Sequence, residues 1–96
     1  MLHLVFQSPI ELAILQRVKP DDVVVFLENS VLRILKQGAL QPVLLPLIQT
    51  NRLCVMSDDI VVRGISVDEL VLGIDVIDFD ELVALTIQNA VIQSWT

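Results

Sequence analysis

Apolar and polar positions along the chain alternate between short extended runs and helical stripes. Leu2-His3-Leu4-Val5-Phe6 predicts a central strand buried on both faces, interrupted by His3. Ser8-Pro9-Ile10-Glu11 predicts a helix start. Ser8 would accept from the first turn, Glu11 would reach back to the cap, and Pro9 suits the first helical position. Ile10, Ala13, Ile14 and Leu15 supply that helix's apolar stripe, and Lys19-Pro20 ends it. Val23-Val24-Val25-Phe26-Leu27 is the best strand, consecutive and mostly β-branched, as in a parallel strand covered on both faces. Glu28-Asn29-Ser30 follows at the strand end where open α/β sheets bind ligands, but Asn29 reads more simply as the cap of a helix from Val31 to Gln37, closed by Gly38.

In the segment from Ala39 to Asn51, Pro42 and Pro46 argue against a long regular helix. Either a short helix starts at Pro42, with Val43, Leu44, Leu47 and Ile48 on the sheet, or the segment is an apolar loop at a subunit contact. Leu53-Cys54-Val55-Met56 is the third strand, and Ser57-Asp58-Asp59 caps a short helix ending at Gly64. Ile65 to Glu69 reads as loop. Leu70 to Ile77 reads as a fourth strand, weakened by Gly73 and Asp75. Asp78 and Glu81 have the spacing of an N-cap and its reciprocal acid, and Phe79, Leu82, Val83, Thr86, Ile87 and Ala90 form the apolar face of the helix they open.

The order βαβα(α)βαβα predicts a single α/β domain over residues 1–96. It is a compact three-layer, flavodoxin-like sandwich whose four-stranded, mainly parallel sheet has strand order 2-1-3-4 and helices on both faces.

Composition adds association to this picture. Apolar residues make up 54% of the chain, and the mean hydropathy of +0.73 is high for a small domain. No uncharged apolar run reaches the roughly 18 residues of a membrane span, and no secretory signal is visible. The excess therefore points to surface covered by other chains. Net charge is −6. Residues 1–51 carry four basic and four acidic side chains, and residues 52–96 carry two and eight. Direct nucleic-acid binding needs a cationic footprint that this balance lacks. The acids, mostly at helix starts, read as a solvated face rather than a docking surface for a basic partner. The tail Ala90-Val91-Ile92 leading to Trp95, the single tryptophan, is too apolar to be free and is expected to dock, on its own domain or on a partner.

Candidate chemistry is sparse. Three glycines build no phosphate loop, no His/Cys/Asp cluster has zinc spacing, and no serine sits in a nucleophile elbow. No cofactor or metal is expected. A phosphoacceptor domain of this architecture would carry an acidic pair after the first strand, where Gln7-Ser8-Pro9 stands instead. Cys54 is the single cysteine, so no intrachain disulfide exists, in keeping with a reducing cytoplasm. As the lone candidate nucleophile, it lies inside a predicted two-sided strand. There it would be buried, with a raised pKa and an inert thiol. His3 is expected to be a core histidine with one ring nitrogen bonded to backbone.

Met1-Leu2-His3 with Ser8-Pro9, the Arg63-Gly64 helix end, and Ile77-Asp78-Phe79 running through Leu82-Val83-Ala84-Leu85-Thr86 to Trp95 resemble the TusB/DsrH family in order and spacing. The resemblance implies a DsrE-like α/β fold and a place in a cytoplasmic heterohexamer with TusC- and TusD-like subunits. It implies a relay of persulfide sulfur from TusA-like to TusE-like carriers, ending in 2-thiolation of a tRNA wobble uridine. The related DsrEFH branch traffics sulfur in sulfur oxidisers. The principal active cysteine belongs to the TusD or DsrE subunit. Some DsrH members carry a cysteine in the first helix, but Ile10 to Val18 has none here, which places the chain nearer the TusB type. The expectation is a noncatalytic subunit with Phe79 and Trp95 as interface candidates. The alternatives are a sulfurtransferase acting through Cys54 and a stand-alone homo-oligomeric binding module.

Overall fold

In the computed structural model, which describes residues 1–6 and 12–95, a five-stranded parallel sheet carries the fold. Its strands are β1 (Leu2–Val5), β2 (Val23–Phe26), β3 (Arg52–Met56), β4 (Asp75–Ile77) and β5 (Ile92–Trp95). The helices are α1 (Leu12–Gln16), α2 (Gln41–Thr50), α3 (Ser57–Val62) and α4 (Phe79–Gln88). The helix start expected at Ser8-Pro9-Ile10-Glu11 lies outside the described residues.

The strand order is β4-β3-β2-β1-β5, not the expected 2-1-3-4. β2 inserts between β1 and β3, and the tail forms a fifth strand on the free side of β1. The order dictates the layers. Three successive steps in one direction put their crossovers on one face, and the single return from β4 to β5 puts its crossover on the other. Buried side chains follow this division. Val5, Val24, Phe26, Leu53 and Val55 pack with Leu15 of α1, Leu44 of α2 and Ile60 of α3. Leu2, Val25, Cys54, Met56 and Ile77 pack with Leu85 of α4. Period-two alternation along each parallel strand sorts neighbours into these two sets.

Several segments depart from the expected elements. Glu28–Arg33 is a 3-10 segment, and no helix runs to Gln37. Val31 within it and Ile34 at its C-cap are both buried and stand three apart, the period of a 3-10 turn. Asn29 caps nothing; it accepts from the Arg63 guanidinium at 2.9 Å. The proline-rich segment resolves as a ten-residue helix. Pro42 sits in its first turn, and Pro46 lies on the exposed side, where the N–H it lacks would cost one helical hydrogen bond. The fourth strand shrinks to Asp75–Ile77. Before it, Val67–Glu69 forms a 3-10 turn with a Ser66–Glu69 capping box, and Leu70 bridges Leu35. Gly73 turns there with φ +103, and a Cβ at that position would stand 2.7 Å from the Ile48 side chain. Ser57 begins α3 without capping it, and the helix ends as expected at Gly64, in left-handed conformation.

The apolar face expected of α4 is divided. Leu82 and Leu85 turn to the sheet, whereas Phe79, Val83 and Ile87 point to solvent. Asp78 caps the helix as expected, accepting from the Glu81 N–H at 2.9 Å, and Asn89 closes its far end on the Leu85 carbonyl.

Candidate functional site

Cys54 lies in the middle of β3, on the face that α4 covers. The register sets it between Val25 and Asp75, and two residues earlier on the same face stands Arg52. The thiol is fully buried. That burial pushes it up to about 11. The Arg52 charge favours the thiolate, but Asp75 and Glu81 oppose it, and those same acids pair with Arg52 at 3.1 and 3.8 Å. At pH 7 such a thiol stays in its protonated form. Nucleophilic attack by a cysteine draws on thiolate and an open approach, and the burial and raised pKa of Cys54 work against both.

On the other face, residues from both ends of the chain meet. Asp21 takes a left-handed conformation (φ 72) that turns the chain inward just before β2. The buried Asp22 carboxylate then meets His3 Nε2 at 2.9 Å, and accepts from the Lys19 backbone N–H at 3.0 Å and from the amino terminus at 3.1 Å. Burial works against the charge on Asp22, but these bonds, His3 foremost, outweigh it and hold the carboxyl at about 2. The Trp95 indole N–H donates to His3 Nδ1 at 3.1 Å, which leaves Nε2 to carry the proton toward Asp22. His3 therefore bonds side chains through both nitrogens, not backbone as expected. The Arg17 guanidinium lies 5.7 Å from the Trp95 ring centre.

These contacts settle where the tail goes: β5 pairs with β1 from Leu2↔Ile92 to Val5↔Trp95, and Trp95 packs on its own domain. Phe79 remains 65% exposed at the start of α4, and Ile87 of the same stripe is 80% exposed. The structure does not bring Cys54, Phe79 and Trp95 together. Asp22, which organises the second cluster, was not singled out in the sequence. Its signal there is an acid directly preceding an otherwise apolar strand. Among the described residues, no group of three or more His, Cys, Asp or Glu side chains could hold a metal ion, and no helix is long and apolar enough to cross a membrane.

Residues 6–92 match the family of DsrH like proteins. The chain belongs to the DsrH-like family. That makes it a member of a sulfur-relay family and implies partnership within a sulfur-relay complex. No curated protein matches its sequence. Two solved structures share the fold of this DsrH-like chain. A protein of unknown function from Methanobacterium thermoautotrophicum, MTH1491, superposes with a TM-score of 0.79 at 16% identity, over 98% of this chain and 96% of its own. The ychN protein from E. coli does so with 0.79 at 17% identity, over 98% and 97%. At such identities the likeness concerns the fold: a parallel sheet flanked by helices.

Proposed function

We propose that this DsrH-like chain is a noncatalytic subunit of a TusBCD-like complex. Its work is to complete the interfaces that position a partner's persulfide-bearing cysteine, in support of 2-thiolation of tRNA wobble uridine. The observation that carries this reading is Cys54: the chain's single thiol is buried and its pKa is raised, which supports sulfur travelling on another subunit's cysteine. The second apolar stripe of α4 supports the other half. A helix apolar on two sides, with one side open, suits burial between subunits. TusC- and TusD-like chains are the partners, and TusA- and TusE-like carriers reach the complex through them, in the cytoplasm.

The test is co-expression with TusC- and TusD-like chains, native mass measurement of the assembly, then persulfide loading and intact-mass analysis of each subunit. A mixed assembly in which the partner gains sulfur and this chain does not is the expected result. Sulfur on Cys54 would support the sulfurtransferase reading instead. A homo-oligomer indifferent to both partners would support the stand-alone module.

A further inference from the structure

The cluster at the joined chain ends also frames a pocket of about 350 Å³, within the size range of small-molecule sites. It opens on the sheet face opposite Cys54 and is independent of the subunit role. His3 and Trp95 form its floor, and Met1, Arg17, Lys19 and Gln93 line its walls. The floor is fixed before any ligand arrives. His3 is 1% exposed, and its ring is held from both sides by Asp22 and Trp95.

The walls have a sign. In a chain of net charge −6 with six Lys and Arg in all, two of those cations converge here, and among the described residues no acidic side chain lines the pocket. The nearby Asp22 carboxylate is buried and turned to His3, the Lys19 N–H and the amino terminus. Among the described residues, neither Arg17 nor Lys19 pairs its side chain with a carboxylate, whereas Arg52 and Arg63 do. Arg17 instead rests against the Trp95 ring, an arrangement that steadies the guanidinium while leaving its edge donors open. Beside these cations the apolar surface of Met1 and Trp95 offers room for a nonpolar body.

We infer that the His3–Trp95 pocket binds a small organic anion, a carboxylate or phosphate ester with a compact apolar body, whose charge meets Arg17 and Lys19. Two groups of opposite character sit side by side, and a molecule satisfying both gains charge-assisted hydrogen bonds and apolar burial together.

Trp95 is the chain's single tryptophan, so its emission and its indole N–H resonance report directly on the site. The chain is titrated with benzoate, phenyl phosphate and, as an uncharged isostere, benzamide. Benzoate or phenyl phosphate is expected to give a saturable change that salt weakens, with benzamide at least about tenfold weaker. Arg17→Gln and Lys19→Gln, both at exposed positions, should each weaken the anion roughly tenfold while circular dichroism and the melting midpoint stay unchanged. A flat titration with both anions would overturn the assignment. So would equal response to benzamide, or anion binding untouched in both variants. Tetraglutamate is the remaining arm: a response to it alone would overturn the small-molecule assignment in favour of an acidic peptide.

Discussion

The two faces of the sheet are built to different depths. One is covered by α1, α2, α3 and the 3-10 segment between Glu28 and Arg33, and Val24, Phe26, Leu53 and Val55 are almost completely shielded there. Among the described residues the other is covered by α4 alone, and Leu4, Phe6 and Val23 there are only partly buried. The difference teaches where stability resides and which face the proposed association uses. The thick face is a self-sufficient core. The thin face carries a helix whose outer stripe, Phe79-Val83-Ile87, is as apolar as its inner one. The cysteine lies beneath the thin cover, yet it is sealed there.

Truncation should separate the faces. Leu53→Ala, in the middle of the thick face, is expected to cost about 4 kcal/mol in urea unfolding, because packed neighbours on every side keep the cavity open. Leu85→Ala beneath α4 should cost nearer 2 kcal/mol, since a single helix can settle toward the sheet. Equal costs would mean that the thin face is as rigid as the thick one. The double variant Phe79→Ser, Ile87→Ser reverses the logic. It should leave the chain's own unfolding within about 0.5 kcal/mol of the parent, yet weaken assembly with partner subunits about a hundredfold by native mass titration. Unchanged assembly would remove the outer stripe from the interface.

Acid should act on the thick side, through Asp22. Its carboxyl is held at about 2 against an ordinary value of 3.8, so across that window the unfolded chain binds more protons than the folded one. Stability from this group is complete above about pH 4 and drains away as the pH falls toward 2. Asp22→Asn is expected to cost about 2 kcal/mol at neutral pH and to flatten the acid limb of a stability–pH curve. A smaller effect belongs to α4 itself. Asp78→Ala removes the bond to the Glu81 N–H and should cost about 1 kcal/mol, read as a lower melting midpoint.

Much of the thick face was legible in the sequence. Consecutive β-branched residues announced β2, and the apolar stripe of Ile14 and Leu15 announced a covering helix. Strand order was not legible, because parallel neighbours select each other through long-range packing and several orders satisfy the same alternation. β5 was hidden for a related reason. Gln93 and Ser94 give it no apolar run, and what holds it is pairing with β1 and the bond from Trp95 to a histidine 92 positions away. The α4 stripe was misassigned because Phe79, Leu82, Val83 and Ile87 span more than one helical face, and only tertiary contact decides which side turns inward. At the candidate site, the burial of Cys54 followed from its strand, whereas the Asp22–His3–Trp95 cluster joins residues that no local pattern connects.

The claim that this subunit lends contact rather than a thiol is tested most directly by Cys54→Ala in the reconstituted complex, with complex mass and the rate of sulfur transfer from a persulfide-loaded donor measured on the same sample. The account predicts an intact assembly that transfers sulfur at the parental rate. An intact assembly that has lost transfer would contradict it.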